Sequence, residues 1–542
     1  IFVLKTIIDI YKKKKKKVYC CFVDLKKAYD TVWHDGLFYK LLKTGLSPKI
    51  VRLLKDLYSK SKLCVKMNGK LSDYFKISLG VRQGCVLSPA LFNIYIDGLV
   101  GSLTNENNDP IKLGQTKVPI LLYADDIVLL SESPMGLQTS INALESYCKK
   151  WKLRVNVNKT KVLIFNTRFD SMKYIFEIYG QNIELVRQYC YLGIILTQNG
   201  NFKSAFENLT CKGAKAYSSL YNIFNIYKGC PVKIMLKLTQ SLIEPVVLYG
   251  SEVWGAFICK KITSLENIFS NFKFPFQKLQ TKICKQILGV RKNSSNLPAL
   301  SELGIYPMAL NIIKNVYKYA LRLLNSKKSS LLGQALQEQM QLLQSSSCSF
   351  LNIVKFINTS LNIKIPKDIF TPDPAVHKKK AEVFSKIMFR KLKDSYEQYF
   401  HNTISLNSKL IEYSKIKKNY RYESYLSNIS NVNFRKSVAR FRICAHQLPI
   451  EYGRYKNIPR DQRLCNFNCT AVGDEKHYVI SCQNNQIKNA RLSCNQAIEK
   501  KIPNFSKLDE NSKFTYIMLC SDTSIQDEIA KFLNAIEQTV NA

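Results

Sequence analysis

Two adjacent aspartates separate two short apolar runs in VPILLYADDIVLLSE, Val118–Glu132, and no other stretch restricts the fold as much. Ile120–Tyr123 and Ile127–Leu130 are rich in β-formers and bounded by Pro119 and by Ser131-Glu132. This predicts two strands joined by a turn at Ala124-Asp125-Asp126. Neighbouring carboxylates against apolar strands are costly unless a cation meets them. Neither strand supplies a Lys or Arg. A divalent metal is the simplest compensation, and Asp oxygens suit Mg²⁺. On this stretch alone, an Asp-Asp turn in solvent is an equal reading.

A second stretch decides between them. VYCCFVDLKKAYD, Val18–Asp30, opens as a β-branched and aromatic strand ending at Asp24, after which LKKAYDTVWHDGLFYKLL takes a helical period. Asp24 thus falls at a strand's C-terminal end, where α/β folds place their sites. With the two turn carboxylates it makes a cage for two metals about 3.5–4 Å apart. By itself Asp24 would read as a helix N-cap.

In this order the motifs resemble the reverse transcriptases of non-long-terminal-repeat (LINE-like) retrotransposons. The matching residues are FVDLKKAYDTV at Phe22–Val32, GVRQGCVLSPALFNIYI at Gly80–Ile96 and YADD at Tyr123–Asp126. WKLRVNVNKTKVLIF at Trp151–Phe165 and YLG at Tyr191–Gly193 complete the set. The resemblance implies an α+β fold: a right-handed polymerase palm, an antiparallel sheet backed by helices, followed by a helical thumb. It implies Mg²⁺ on Asp24, Asp125 and Asp126, two ions per active site. Leu25, Tyr29, Arg82, Gln83 and Gly84 would line the nucleotide pocket, with Tyr29 as the gate that crowds a ribose 2′-hydroxyl. A lysine of the Asn158–Lys161 turn, preferably Lys161, would approach the triphosphate. Tyr191, Leu192 and Gly193 would hold the primer.

The charge agrees with such partners. Among 542 residues, 81 Lys+Arg against 40 Asp+Glu give +41, which favours a polyanion, nucleic acid or an anionic membrane. No apolar run reaches the roughly 18 uncharged residues of a membrane span, and no signal peptide opens the chain. Seventeen cysteines without a framework read as reduced thiols. The expectation is an intracellular protein, nuclear and cytoplasmic, with RNA template, DNA primer or target and dNTPs as partners and no membrane partner. The first residue is Ile, inside the amphipathic stretch IFVLKTIIDIY. The chain therefore reads as an N-terminally truncated fragment of a longer frame, short of fingers and of an endonuclease domain. No RNase H domain is recognised after the palm.

Four divisions are expected: the palm with partial fingers over 1–197, a helical thumb over 198–325, a helical connector region over 326–425 and a basic C-terminal region over 426–542. Lys12–Lys17, six consecutive lysines, reads as a solvated loop before a phosphate contact or import signal. Asp35–Leu63 reads as helical with a break at Gly45–Pro48, and Asn68-Gly69 as a hairpin turn. Ser88-Pro89 opens a helix to about Leu103. Lys and Tyr interleaved on helices after Asn201 suit a duplex backbone, although core aromatics explain about half of them. Ser326–Ser349, rich in Ser and Gln, reads as a flexible connector, and Pro366–Pro374 as a second boundary.

The tail holds Cys465-x3-Cys469-x7-His477-x4-Cys482. Three Cys and one His can close a tetrahedral zinc site. The spacing matches the C-terminal CCHC motif of LINE elements rather than the retroviral knuckle. Cys444 and His446 are alternative ligands. Upstream, Arg435–Arg463 is dense in Arg and Lys and suits phosphates.

RNA-directed DNA polymerisation is the activity these residues imply, by two-metal nucleotidyl transfer. An RNA-dependent RNA polymerase shares the palm but not FVDLKKAYDTV, YADD and YLG together. A group II intron maturase shares the polymerase motifs but not the CCHC spacing. A catalytically incomplete or domesticated nucleic-acid binder predicts salt-sensitive RNA binding without primer extension.

Overall fold

Val18–Val23 (β1) is buried along its whole length and lies at the centre of a five-stranded sheet. The computed structural model describes all residues except 105–107, 168–173, 228–229, 259–263, 345–348 and 367–372. The other strands are Ile120–Tyr123 (β2), Asp126–Ser131 (β3), Lys161–Phe165 (β4) and Glu184–Leu185 (β5). Their order is β5-β4-β1-β3-β2, antiparallel except for the short β4–β5 pair. A strand covered on both faces needs apolar side chains at every position, and VYCCFV supplies them.

On one face, Tyr19, Cys21 and Val23 of β1 meet helices Ser88–Thr104 and Pro134–Lys150 through Phe92, Tyr95, Leu99, Leu137 and Ile141. Each such fully buried side chain contributes about 1.5–3 kcal/mol. On the other face, Phe22 meets a two-stranded hairpin, Gln188–Tyr191 with Ile194–Thr197.

One cation is folded into this core. Lys40, on helix His34–Lys43, sits 3.8 Å from the Trp151 ring centroid, with Tyr95 and Tyr147 also facing it. Its ammonium donates to Tyr147 Oη at 2.5 Å and to the Tyr95 carbonyl. Burial pulls its pKa down to about 8.

The chain divides into two units, Ile1–Ala205 with Arg322–Asn352, and Phe206–Leu321 with Ile353–Ala542. The flexible-connector reading of Ser326–Ser349 gives way here. Leu331–Gln344 is a helix packed on helix Phe2–Lys13. Gly333, Ala335, Leu336, Gln339 and Leu342 form its buried side, a stripe whose small and polar members hide it in the sequence. Gln339 Nε2 donates to Thr6 Oγ1 at 3.1 Å, and its Oε1 accepts from Phe350 N at 2.7 Å. The Pro366–Pro374 boundary falls largely outside the described residues.

Two further differences concern local structure. Lys26–Thr31 is a run of turns rather than the start of a helix, which begins at His34. Lys12 and Lys13 end the first helix, and Lys16 pairs with Glu132 at 3.2 Å.

Helices build the second unit, within the described residues. At its centre, Arg442 meets Glu302 at 2.8 Å and Glu423 at 3.1 Å, while Lys417 meets Glu423 at 2.5 Å. Arg442, Glu302 and Lys417 are buried. The Arg435–Arg463 stretch is therefore not simply a phosphate-facing surface. Arg435 is buried and donates to Ile429 O, Arg440 pairs with Glu537, Arg454 with Glu451, and Arg463 donates to Ile450 O and Ile458 O. Lys456 and Arg460 remain exposed, beside exposed Tyr452 and Tyr455. Among the described residues no helix is long and apolar enough to cross a membrane.

Candidate active site and metal centre

β1 and β3 pair in antiparallel register with Val23 opposite Ile127. Asp24, next after Val23, thus stands level with Asp126, the first residue of β3. Tyr123 pairs with Asp126 across the β2–β3 hairpin, so the turn proper is Ala124-Asp125. Ala124 takes a left-handed φ of +53°, a conformation L-residues adopt at a cost. Burial, then Asp125, then Asp24, raises the Asp126 carboxyl above its ordinary range. Like charges gathered together disfavour ionisation. Hard oxygen donors in such a cluster fit a divalent cation.

Asp24 is held through its backbone from the Trp151–Phe165 segment, in which the sequence singled out only Lys161. Asp24 N donates to Thr160 Oγ1 at 3.2 Å, Asp24 O accepts from Asn156 N at 2.7 Å, and Leu25 bridges to Val155. Thr160 is buried. Its only sequence signal is its place in the NKTK turn.

Tyr29 lies on the turn segment, its ring stacked on Phe92 at 4.8 Å and 16°. Burial and then nearby Asp125 raise its hydroxyl. The loop carrying Arg82, Gln83 and Gly84 is sewn to this segment. Gly80 N donates to Val32 O, Val81 N to Tyr29 O at 2.7 Å, and Gln83 Nε2 to Asp30 Oδ1 at 2.9 Å. Arg82 donates to Ser61 Oγ. Gly80 has φ +89°, and a Cβ there would stand 2.8 Å from Asp30 O, so glycine is required.

Leu192 and Gly193, both at positive φ, form the two-residue turn of the Gln188–Thr197 hairpin. Tyr191 is buried against Phe22. Tyr189, absent from the sequence-derived set, stacks on Phe22 at 4.5 Å and 19°. Burial, then Asp24 and Asp126, lift its hydroxyl to about 12. Its signal was the two-residue alternation with Tyr191. Lys161 opens β4, and its Nζ pairs with Glu184 at 2.6 Å.

In the second unit, one ligand atom from each of Cys465, Cys469, His477 and Cys482 lies within 4.8 Å of all the others, a group that could hold a metal ion. Leu464 bridges to Val472, closing a loop around Cys465 and Cys469. Asp474 caps the helix Glu475–Ile480 by accepting from His477 N at 2.9 Å. Ser481 Oγ stands 3.2 Å from His477 Nδ1, whereas His477 Nε2 is buried without a hydrogen-bond partner. Cys444 and His446 are not part of the group. His446 Nε2 meets Glu475 Oε1 at 2.7 Å, and both residues are buried.

Residues 3–196 match the family described as reverse transcriptase (RNA-dependent DNA polymerase). The RNA-directed DNA polymerase from mobile element jockey of Drosophila funebris is 28% identical over 249 residues, 45% of this chain and 26% of that protein. The Pol polyprotein from the type-1 retrotransposable element R2 of Nasonia vitripennis is 31% identical over 160 residues, 30% of this chain and 15% of that one. Telomerase from Candida albicans, solved with a telomeric RNA fragment, aligns over 62% of this chain and 54% of its own at 15% identity. Its TM-score of 0.26 is too low to establish a common fold. Residues 3–196 are thus a reverse transcriptase domain, and its homologues are the RNA-directed DNA polymerases of non-LTR retrotransposons. The match spans about a quarter of the length of the jockey relative.

Proposed function

We propose that the chain is an RNA-directed DNA polymerase of the non-LTR retrotransposon kind, extending a DNA primer with dNTPs on an RNA template. The observation that carries this reading is the strand register that sets Asp24 level with Asp126, with Asp125 in the adjoining turn. These three would hold Mg²⁺, which when bound lowers the pKa of the primer hydroxyl and offsets charge on the phosphates.

The chain's own residues bind and orient. Thr160 and Asn156 hold Asp24 in place from behind. Tyr29, stacked flat on Phe92, bounds the sugar side of the pocket and crowds a 2′-hydroxyl. The loop at Arg82, Gln83 and Gly84 closes the pocket beside Leu25, and the Tyr191–Gly193 turn supports the primer end. Lys161 reaches a triphosphate only by leaving Glu184.

The same reading gives the Cys/His group a Zn²⁺. Zn–S bonds of about 2.3 Å in a tetrahedron set sulfurs about 3.8 Å apart. Cys465 Sγ and Cys482 Sγ are 3.8 Å apart. His477 Nε2 supplies the nitrogen, with Nδ1 turned to Ser481. A polyanionic partner is further supported by the excess of 81 Lys+Arg over 40 Asp+Glu.

Primer extension on an RNA template tests the activity. Asp125→Asn should abolish dNTP incorporation while RNA binding persists. Extension by that variant at the wild-type rate would remove the carboxylate assignment.

A further inference from the structure

We propose that Arg491 is a positioning residue of the Cys465/Cys469/His477/Cys482 centre, one that sets how tightly the centre holds its ion. The inference rests on the zinc reading above. Arg491 lies on helix Asn485–Glu499, outside the ligand set. Its Nε donates to Val479 O at 2.9 Å, and its Nη2 donates to Tyr478 O at 3.2 Å and to Cys482 O at 2.8 Å. The three carbonyls span the turn between His477 and Cys482. Carbonyls at a helix C-terminus lack partners within the helix, and a planar guanidinium can gather several at once. One side chain therefore fixes the separation of two of the four ligands.

Charge gives Arg491 a second task. Zn²⁺ with three thiolates and a neutral imidazole carries a net charge of about −1. Arg491 is only partly exposed, and its guanidinium lies on the Cys482 backbone at 2.8 Å. A fixed cation at that place lowers the cost of gathering thiolates in a partly dry site. The clamp also joins the centre to helix Thr523–Asn541, against which Asn485–Glu499 packs.

The test uses the full chain stripped of metal and titrated with Zn²⁺ against a chromophoric chelator, with Co²⁺ as a spectroscopic stand-in. Arg491→Met should weaken Zn²⁺ binding by about 10- to 100-fold, the range typical of residues that orient metal ligands. Arg491→Lys keeps the charge but not the fork, and should fall between. At saturating Co²⁺, the ligand-field and thiolate charge-transfer bands of Arg491→Met should differ from wild type, which a loss of general stability would not produce. Wild-type affinity in Arg491→Met, or full recovery in Arg491→Lys, would overturn the positioning role while leaving the zinc reading intact. A wild-type chain that binds no Zn²⁺ would overturn both.

Discussion

Phe22 and Tyr189 stack 4.5 Å apart at 19°, on the side of β1 away from the helices that pack on Tyr19, Cys21 and Val23. Phe22 is two residues from Asp24, so the hairpin carrying Tyr189 braces the strand that presents this carboxylate. Tyr189→Phe keeps the ring and should extend primers near the wild-type rate. Tyr189→Ala should slow extension about 10- to 100-fold, the cost typical of a reacting group displaced by about 1 Å. Single-turnover rates compare the two. Equal loss in both variants would assign the role to the hydroxyl instead.

Tyr29 stacks on Phe92 with Asp125 close by. Tyr29→Ala should reduce the preference for dNTP over NTP, read as the ratio of kcat/KM values. Tyr29→Phe should retain it. An unchanged ratio in Tyr29→Ala would leave the ring a packing role only.

Lys40 gives a pH dependence with a defined sign. Burial lowers its folded-state pKa from 10.5 to about 8, with Asp97 opposing and Lys150 adding to the effect. Between these pH values the unfolded chain binds more protons, so stability rises with pH. The penalty on the charged form is complete below pH 8 and relieved towards 10.5. Lys40→Met lacks this titration. From pH 7.5 to 10, wild type should gain on the order of 2–3 kcal/mol relative to the variant. Denaturant unfolding at each pH checks it, and a constant difference would refute it.

Metal removal should act locally. Chelation, or Cys465→Ser, should disorder the segment around Cys465–Cys482 and weaken RNA binding, because turns such as Asn466–Asn468 bury little by themselves. Unit Ile1–Ala205 with Arg322–Asn352 has its own core and should keep its fold. Hydrogen exchange with and without chelator separates the two. Exchange unchanged in the Cys465–Cys482 segment would retire the metal's structural role.

Local signals were legible where the chain decides its structure by itself. The Ala124-Asp125 turn, the Ser88-Pro89 helix start and the spacing from Cys465 to Cys482 each depend on a few neighbouring residues. Misreadings arose where distant segments decide. Lys26–Thr31 has a helical pattern but takes turns, because Lys26 N bonds to Arg154 O while Tyr29 O and Val32 O accept from Val81 and Gly80. Gln339 read as linker material until Thr6, Ser349 and Phe350 satisfied its amide. Arg442 read as a phosphate ligand, although Glu302, its partner in space, lies far away in sequence.

The pairing of helix Phe2–Lys13 with Leu331–Gln344 also sets a timetable for synthesis. Thr6 leaves the ribosome roughly 330 residues before Gln339, the residue of the later helix that donates to it. At 5–20 residues per second, that interval is about 15–65 s. Throughout it the nascent reverse transcriptase domain carries a first helix still short of one packing partner, a natural grip for holdase chaperones. Slowing translation across Phe206–Leu321 should lengthen that hold.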